Sequence, residues 1–328
     1  MKRAIGTAGI AVLALTFHSR ISLAQPAEKK ANMPESAKQK PHGLTFQNVL
    51  QLPASKPTAN IAYGKDKLQF SELRVPAGKG PHPVAVLIHG GCWLAEVADL
   101  KYFSPMADAL AKKGLATWNI EYRRIGDKGG GWPGTFLDVA KATDHLRAIA
   151  KEYELDLSRV IVVGHSAGGH LALWLAARAK LPPESELYSR DPLKILAAVD
   201  LAGPGDLSTF TSAHTHACGD AVNRLLGGLP KDVPERYRDA GPINMLPLGV
   251  RQVCIAGAKD TLVPSQHVRT YADAAKQAGD DTRYIEVPEA GHFDLVAPNS
   301  AAWEQVERAI VALVSSAQRP AFKRGEGE

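Results

Sequence analysis

The sequence predicts an α/β protein whose mostly parallel central sheet is covered by helices on both faces. Strand-like segments alternate with helical stretches of ten or more residues, a pattern typical of right-handed βαβ units. Residues 84–89 (VAVLIH) form a continuous apolar run, as expected for a strand that is buried on both faces. The chain of 328 residues is long enough to bury a full core without disulfides or metals.

The predicted elements follow one another in a regular order. Strands are expected at residues 68–75, 84–89, 116–122, 159–163, 197–201, 252–258 and 283–287, and helices at 104–114, 137–153, 169–178, 267–278 and 301–315. In parallel sheets, functional residues gather at the carboxyl ends of the strands. Polar residues that follow predicted strands, and that we expect to meet at one edge, are His89, Ser166, Asp206, Asp260 and His292.

The beginning of the chain has the layout of a secretory signal peptide. Lys2 and Arg3 precede a mostly apolar run at residues 4–17, and Ser22 and Ala24 occupy the −3 and −1 positions of a cleavage site. The apolar run is too short to span a bilayer comfortably. We therefore expect export to the periplasm or the medium, without stable membrane insertion after cleavage. A retained anchor or a buried N-terminus is the alternative.

The predicted boundaries are a signal peptide at 1–24, a flexible leader at 25–41, one α/β domain at 42–318 and a C-terminal tail at 319–328. The leader is rich in Lys, Ala, Pro and Glu, and the tail is charged, which is typical of segments without a packed core. Within the domain, residues 204–249 are broken by Gly and Pro. This segment predicts either a small partial cap over the strand ends or an ordinary surface connection.

Composition and charge exclude several classes of function. The formal net charge of +5 falls to +2 without residues 1–24, and the basic residues are scattered, so no nucleic-acid surface is predicted. Three cysteines, Cys92, Cys218 and Cys254, leave at least one thiol unpaired within the chain. Cys254 lies in an apolar run typical of a core, and no cysteine spacing indicates a metal site. Any disulfide, like the oligomeric state, is left open.

The motif with the clearest chemistry is Gly164-His165-Ser166-Ala167-Gly168. This G-x-S-x-G match lies between a predicted strand and a predicted helix, which is the context that a nucleophile elbow requires. The sharp turn lifts the serine hydroxyl clear of the sheet, and its strained backbone needs small flanking residues. The helix N-terminus behind it adds positive potential where an oxyanion forms. Ser166 is therefore the predicted nucleophile.

A second glycine-rich turn, IHGGCW at residues 88–93, directly follows a predicted strand. Paired glycines let backbone N–H groups approach a ligand without a Cβ in the way. Such groups, together with the N–H of the residue after the nucleophile, stabilise a tetrahedral oxyanion. The candidate donors are Gly91, Cys92 and Ala167, with a plain tight turn as the alternative. His89 is expected to hold this loop.

A serine hydroxyl needs a base before it can act as a nucleophile. His292 is the predicted base because it lies late in the chain, between a strand and a helix. His165 and His170 are too closely tied to the elbow helix to approach the serine. His214 and His216, in the predicted cap segment, are the weaker alternative.

The base in turn needs a carboxylate to orient its second ring nitrogen. Asp260 follows a predicted strand, and the chain order Ser166, Asp260, His292 is the order found in α/β hydrolases. Asp206 is the alternative orienter. Asp294 is too close to His292 in sequence to be its partner.

Other side chains near the same edge have less specific roles. Asp138 is expected to cap a helix or to pair with Arg123 or Arg124, and not to react. Four aromatic residues could bind an aromatic or acyl group, although packing is an equal alternative. They are Trp93, Tyr122, Trp132 and Phe293.

Taken in order, these motifs resemble the α/β-hydrolase fold, specifically the carboxylesterase branch with an HGGxW oxyanion loop. That branch includes hormone-sensitive-lipase-like esterases, feruloyl-esterase-like enzymes and kynurenine formamidases. The resemblance covers about Gln69 to Val314 and implies that Gly91, Cys92 and Ala167 supply the oxyanion donors. Its motifs are HGGCW at 89–93, EYR at 121–123, WPGTFLDV at 132–139, GHSAGG at 164–169, GAKDTLVP at 257–264 and AGHFD at 290–294.

The chain departs from one subgroup at Cys92, where hormone-sensitive-lipase-like members usually carry a third glycine. This difference favours the formamidase and feruloyl-esterase-like side. The predicted function is a serine hydrolase that cleaves small-molecule carboxylic esters, with short-chain or aromatic acyl groups, through an acyl-enzyme and without a metal or organic cofactor. The alternatives are an arylformamidase or peptidase-like amidase, and a catalytically inactive binding protein on the same fold.

Overall fold

The computed structural model describes residues 43–210 and 218–315. The strands in these ranges are β1 (Ala59–Ala62), β2 (Phe70–Arg74), β3 (His82–Ile88), β4 (Ala116–Ile120), β5 (Leu155–His165), β6 (Ala197–Leu201), β7 (Arg251–Gly257) and β8 (Thr282–Val287). The α-helices are α1 (Phe46–Leu50), α2 (Ser104–Lys112), α3 (Gly134–Asp144), α4 (Leu146–Ile149), α5 (Ala167–Ala177), α6 (Ala221–Leu226), α7 (Pro234–Ala240), α8 (Ser265–Gln277) and α9 (Trp303–Ser315). Short 3-10 helices lie at Leu100–Phe103, Arg178–Lys180, Pro242–Met245 and Phe293–Val296.

The strands form one sheet in the order β1-β2-β4-β3-β5-β6-β7-β8. β1 and β2 pair antiparallel with each other, and β2 pairs antiparallel with β4. All pairs from β4 to β8 are parallel. Every residue of β4 and β6 is buried, and side chains of a strand alternate between the two faces, so both faces are covered. The predicted α/β architecture is confirmed.

Some predicted elements have different bounds. The helix expected over residues 137–153 is split into α3 and α4, which meet at His145. β5 begins at Leu155 instead of residue 159, because a register shift next to Pro83 extends its pairing with β3. β1 was not predicted, since four residues with alternating exposure give too weak a pattern.

The predicted cap segment, 204–249, packs beside the helix that follows the elbow. It contains α6, α7 and a 3-10 helix. Two side chains of α5 donate hydrogen bonds to backbone carbonyls of this segment: Trp174 Nε1 to Asp239 at 3.0 Å and His170 Nε2 to Ala240 at 2.9 Å. Whether the segment covers the site stays a prediction, as 211–217 lies outside the described residues.

Several other expectations also concern residues that the structure does not describe. These are the signal peptide at 1–24, the leader at 25–41, the tail at 319–328, and the alternative bases His214 and His216. Within residues 43–210 and 218–315, no helix has the length and apolar character needed to cross a bilayer.

One predicted polar contact helps to hold α3, the helix that follows β4 in sequence. Asp138, in α3, forms a bidentate ion pair with Arg123, with both N···O distances at 2.7 Å. Gln69 Nε2 donates to the same carboxylate at 2.6 Å. Arg124 instead pairs with Asp127 at 3.2 Å. The salt-bridge interpretation of Asp138 is therefore confirmed, with Arg123 as the partner.

Candidate active site

Ser166 lies at a sharp turn between β5 and α5. Its backbone has φ 58° and ψ −124°, a conformation that is strained for a residue with a Cβ. A Cβ at Gly164 would collide with the backbone of Gly168, and a Cβ at Gly168 would collide with the carbonyl of Ile88 at the end of β3. Both glycines of the motif are therefore required by close backbone approach, and the turn has the geometry of a nucleophile elbow.

His292 and Asp260 form a buried hydrogen-bonded pair. His292 Nδ1 lies 2.6 Å from Asp260 Oδ2. The other carboxylate oxygen accepts from the backbone N–H groups of Leu262 at 2.8 Å and Val263 at 2.9 Å. Because a carboxylate held in this way accepts hydrogen bonds, Nδ1 of His292 is the donor, and Nε2 is left to accept a proton.

The loops that carry this pair are joined to each other by backbone hydrogen bonds. Ala258 N–H donates to the Val287 carbonyl at 2.9 Å, and Lys259 N–H donates to the Ala290 carbonyl at 3.0 Å. A Cβ at Gly257 would collide with the same Ala290 carbonyl. The ends of β7 and β8 are thus held in close contact, and this contact brings the acid and the base together.

The turn at Ser166 is joined to the loop that carries His292 by His165, the residue before the serine. His165 Nε2 donates to the backbone carbonyl of His292 at 3.0 Å, and the centroids of the two imidazole rings are 4.3 Å apart. Ser166 and His292 are each 7% exposed, so both keep a small surface open to a substrate. Among the described residues no hydrogen bond joins Ser166 to His292, and such bonds often tighten only when substrate binds. Proton transfer between them stays a prediction.

The predicted oxyanion loop follows β3 and has an unusual backbone. Gly91 has φ 104°, Cys92 has φ 54° and Trp93 has φ 57°. Gly90 lies against the elbow, since a Cβ added there would come within 2.9 Å of Ser166 Cβ. The loop therefore passes directly beside the nucleophile. Its role as an oxyanion hole, with donors at positions 91 and 92, stays a prediction.

Ala167 is the third predicted oxyanion donor. It is the first residue of α5 and is buried. The first N–H groups of a helix have no partner within the helix and point along its positive end. The role of the Ala167 amide as an oxyanion donor stays a prediction.

A buried hydrogen-bonded pair of side chains supports the predicted oxyanion loop. His89 Nε2 lies 3.1 Å from Glu121 Oε1, and His89 Nδ1 lies 2.8 Å from the Gly90 carbonyl. Burial raises the pKa of Glu121, but His89 and Arg124 lower it by more, so that the pKa is below its usual range. Leu100 N–H donates to the other Glu121 oxygen at 3.1 Å. His89 holds the loop, as predicted.

A disulfide fixes the same loop from the other side. Cys92 is bonded to Cys218, with their Cα atoms 5.4 Å apart and a sequence separation of 126. The bond ties the predicted oxyanion loop to the segment just before α6. Cys254 is a free thiol, and its full burial agrees with its interpretation as a core residue.

The alternative acids have other partners. Asp206 Oδ1 accepts from Ser208 N–H at 2.9 Å in a local turn. Asp294 accepts from Gly291 N–H at 2.8 Å and from the N–H of Leu44, which precedes α1. These contacts give each carboxylate a structural role away from the base, so the structure favours Asp260 as the orienter.

Two of the predicted substrate-binding residues are fully buried. Trp93 is 0% exposed and packs edge-on against His170, with ring centroids 5.4 Å apart. Tyr122 is also 0% exposed; it stacks on His89 at 4.3 Å and donates to the His89 carbonyl at 2.8 Å. Full burial is typical of core residues, and substrate contact by these two side chains stays a prediction. They are core residues that support the oxyanion loop.

The other two aromatic candidates keep exposed surface. Phe293 is half-buried and packs on His292, with ring centroids 5.1 Å apart. Trp132 is also half-buried; its Nε1 donates to Glu186 at 2.8 Å, and the Arg236 guanidinium lies 5.6 Å from its ring. Substrate contact by these two residues stays a prediction.

The described residues contain no group of three or more His, Cys, Asp or Glu side chains that could hold a metal ion.

A family model described as BD-FAE matches residues 73–274. The chain belongs to the BD-FAE family. The match includes Ser166, Cys92 and Asp260, and it ends before His292. The assignment of this BD-FAE member to the α/β-hydrolase fold is confirmed by its sheet and by its likeness to solved esterase structures.

Relatives and solved structures extend this family assignment. Esterase LipC of Mycobacterium tuberculosis is 27% identical over 243 residues, which cover 72% of this chain and 60% of LipC. A carbohydrate esterase from gut microbiota has a TM-score of 0.66 at 23% identity, covering 80% of this chain and 98% of that structure. A propionate-bound esterase of Thermogutta terrifontis has a TM-score of 0.64 at 21% identity, with 81% and 96% covered.

At these identities the solved structures show the shared fold alone. This BD-FAE member spans about half to 60% of the length of the first curated relatives that it matches.

Sequence reasoning missed three residues that hold the site together. The disulfide pairing of Cys218 was not predicted, because three cysteines allow more than one pairing. His165 was set aside as a base, but its contacts to the His292 loop were not foreseen. Tyr102, whose hydroxyl contacts Gly90, carries no signal in sequence, because a tyrosine in a helical stretch is ordinarily a core residue.

Proposed function

We propose that this chain hydrolyses carboxylic esters, with Ser166 as nucleophile, His292 as general base and acid, and Asp260 as the residue that orients His292. The observation that carries the proposal is the 2.6 Å hydrogen bond between His292 Nδ1 and Asp260 Oδ2, next to the strained turn at Ser166. With Nδ1 directed at Asp260, Nε2 is the ring nitrogen that accepts the serine proton in the proposed reaction. Relatives named esterases and carboxylic ester hydrolases support the same activity.

The reaction has two halves. In the first, Ser166 Oγ attacks the ester carbonyl while its proton passes to His292 Nε2, and the oxyanion accepts hydrogen bonds from the amides of Gly91, Cys92 and Ala167. The alcohol leaves with the proton from His292, and the acyl group stays on Ser166. In the second half, water gives a proton to His292 and attacks the acyl carbon. The carboxylic acid leaves, and Ser166 regains its proton.

Small acyl groups, short-chain or aromatic, are the proposed substrates. The third glycine of related oxyanion loops is replaced by Cys92, whose sulfur is bonded to Cys218, and we expect this bridge to narrow the acyl pocket. The propionate-bound structure of the Thermogutta terrifontis esterase supports a short acyl group by analogy.

Labelling with a fluorophosphonate tests the nucleophile. The wild-type chain should be modified at Ser166 and lose activity in proportion. Ser166→Ala should lose labelling and at least about 10⁴-fold in kcat, as expected when a triad serine is removed. Ser158→Ala, which changes an exposed serine beside Asp156, is the matched control and should label normally. Undiminished labelling of Ser166→Ala would refute the assignment, and an inert wild-type chain would indicate a binding protein.

Paired assays define the bond that is cleaved. Wild-type protein should turn over p-nitrophenyl acetate with a kcat/KM well above that for N-formylkynurenine. The reverse order would make the chain an arylformamidase with the same nucleophile. Equal loss of both activities in Ser166→Ala would show that one site acts on both substrates.

We also propose that the chain is exported. The pattern of residues 1–24 supports this location, and so does the Cys92–Cys218 bond, because disulfides persist in oxidising compartments. Protein recovered from the periplasm or the medium should begin at Gln25 by N-terminal sequencing. An uncleaved chain found only in the cytosol would contradict the proposal.

A further inference from the structure

A chain of hydrogen bonds connects the oxyanion loop to the base loop behind Ser166. The Gly90 N–H contacts the Tyr102 hydroxyl, and this hydroxyl lies 3.2 Å from His165 Nδ1. His165 Nε2 lies 3.0 Å from the backbone carbonyl of His292. Tyr102 and His165 are 1% and 0% exposed. The two side chains therefore bridge two loops through backbone atoms, and neither is needed for proton transfer.

The donor and the acceptor of each of these hydrogen bonds can be assigned, starting from the His292 carbonyl. The His292 carbonyl can only accept, so His165 carries its hydrogen on Nε2. Burial, and then the charge of His292, lower the pKa of His165 well below its usual range, so the ring is neutral and Nδ1 is an acceptor. Tyr102 must then donate its hydroxyl hydrogen to Nδ1. Its oxygen remains free to accept from Gly90 N–H, and every polar group in the chain is satisfied.

The same hydrogen bonds also oppose a positive charge on His165, next to His292. The rings of His165 and His292 are 4.3 Å apart, and His292 becomes an imidazolium when it takes the serine proton. Protonation of His165 at Nδ1 would displace the donor hydroxyl of Tyr102 from a buried site, which is costly. The hydrogen bond from Tyr102 therefore opposes a positive charge on His165 while His292 carries the proton.

We propose that Tyr102 and His165 are positioning residues that set the distance between the oxyanion loop and the base loop on either side of Ser166. The proposal rests on the proposed esterase function and explains how the catalytic groups keep their spacing. Misplacement of a catalytic group by about 1 Å can cost about 100-fold in rate. A loss of this bridge should therefore appear in turnover more than in substrate binding.

Tyr102→Phe is the direct test. The change leaves Gly90 N–H and His165 Nδ1 without a partner, and kcat for p-nitrophenyl acetate should fall about 10- to 100-fold while KM changes less than about threefold. The affinity for a boronic acid that forms a tetrahedral serine adduct should fall in parallel with kcat/KM. Parallel losses are expected of a positioning role, because the adduct uses the same oxyanion donors.

Tyr271→Phe is the matched control. Tyr271 is also 1% exposed and donates its hydroxyl to Gln252 Oε1 at 2.9 Å, in a contact between α8 and β7. This variant should lose a similar amount of thermal stability and keep the wild-type kcat. If Tyr102→Phe keeps wild-type kcat with the same loss of melting temperature as Tyr271→Phe, Tyr102 has only a structural role and the proposal is overturned.

A comparison of two variants at His165 tests the proposal even if Tyr102→Phe folds poorly. A glutamine amide has one donor and one acceptor end, so His165→Gln can bond both the His292 carbonyl and the Tyr102 hydroxyl, whereas His165→Ala can bond neither. His165→Gln should keep at least about tenfold more kcat than His165→Ala. Equal activities would contradict the proposal. Fluorophosphonate labelling of the wild-type chain distinguishes this failure from a failure of the esterase function itself.

Discussion

The two sides of Ser166 are held by different kinds of force. On the base side, the loops after β7 and β8 are joined by backbone hydrogen bonds, and Asp260 is fixed by the amides of its own turn. On the oxyanion side, the loop after β3 is held by a disulfide at Cys92 and by the buried His89–Glu121 pair. The base side is thus held mainly by backbone hydrogen bonds, while the oxyanion side depends on a covalent bond and on buried side chains.

This difference has a physical reason. The base side needs a correct direction for one ring, which a short turn can provide. The oxyanion side needs backbone amides held in an unfavourable conformation: Cys92 and Trp93 have positive φ values, and each such residue costs about 1–3 kcal/mol. Strong distant restraints offset that cost. We expect changes on the base side to affect mainly turnover, and changes on the oxyanion side to affect both turnover and stability.

The largest effect is expected from Asp260→Asn. An amide at this position presents a donor to Nδ1 of His292 and favours the tautomer whose Nε2 carries a hydrogen and cannot accept the serine proton. We expect kcat to fall by about 10³- to 10⁴-fold with a small change in melting temperature. Steady-state kinetics and thermal unfolding measure the two quantities.

Asp206→Asn is the control for this prediction. Among the residues that the structure describes, the Asp206 carboxylate accepts only from amides of its own turn, so kcat of Asp206→Asn should stay within about threefold of wild type. A larger loss in Asp206→Asn than in Asp260→Asn would reverse the assignment of the acid. A large loss of stability in Asp260→Asn would contradict the distinction between the two sides.

Opening the disulfide should have the next largest effect. Cys218→Ser removes a cross-link with a sequence separation of 126, and we expect the free energy of unfolding to fall by about 2–4 kcal/mol. The strained residues at 92 and 93 can then relax, and kcat should fall about 10- to 100-fold. This loss is smaller than that expected when an oxyanion donor is removed completely. Denaturant unfolding and steady-state kinetics test both expectations.

Cys254→Ser is the matched control, because it changes a fully buried cysteine that has no disulfide. It should keep wild-type turnover even if it costs some stability. Treatment of the wild-type chain with a reducing agent should reproduce the kinetic loss of Cys218→Ser and leave Cys218→Ser itself unaffected. Wild-type kcat in the reduced protein would mean that the bond stabilises the fold without holding the oxyanion loop.

The same contrast explains how much of the molecule could be predicted from sequence. The elbow was predictable because Gly164 and Gly168 are required by close approach of neighbouring backbone, and that requirement is visible in the motif. The central strands were predictable because strands buried on both faces have continuous apolar runs. Asp260 and His292 were found from their positions after strands, since the sheet itself brings those ends together.

The supports of the oxyanion side could not be predicted in the same way. No local pattern distinguishes the Cys92–Cys218 pairing from other pairings of three cysteines. The burial of Trp93 and Tyr122 depends on which way each side chain points once the loop is closed, and nearness to the sheet edge does not determine that direction. Distant contacts set both outcomes, so only the folded structure shows them.

The smallest predicted effect concerns acid stability, because each side contains a buried histidine. His170 packs against Trp93 on the oxyanion side, and burial lowers its pKa to about 4. The unfolded chain, in which histidine has a pKa of about 6.5, binds more protons than the folded chain between these values. Stability should therefore be constant above about pH 6.5 and should fall as the pH is lowered towards 4, with at most about 3 kcal/mol due to His170.

Urea unfolding at pH 7.5, 5.5 and 4.5 measures this dependence in the wild-type chain and in His170→Gln. The variant should be less stable at neutral pH, because it loses packing in the core, but its stability should fall less steeply with acid. His145→Gln is the control. It also removes a histidine whose pKa is lowered by burial and by Lys141, but His145 is only half-buried, whereas His170 is fully buried. If His170→Gln and wild type lose stability equally, the acid sensitivity comes from other groups, such as His165, whose pKa is also lowered by burial and by His292, and Glu121, whose pKa is lowered, against the effect of burial, by His89 and Arg124. The same measurement on His165→Gln would then separate the base side from the oxyanion side, because a flatter pH dependence is expected only if His165 binds the proton on unfolding.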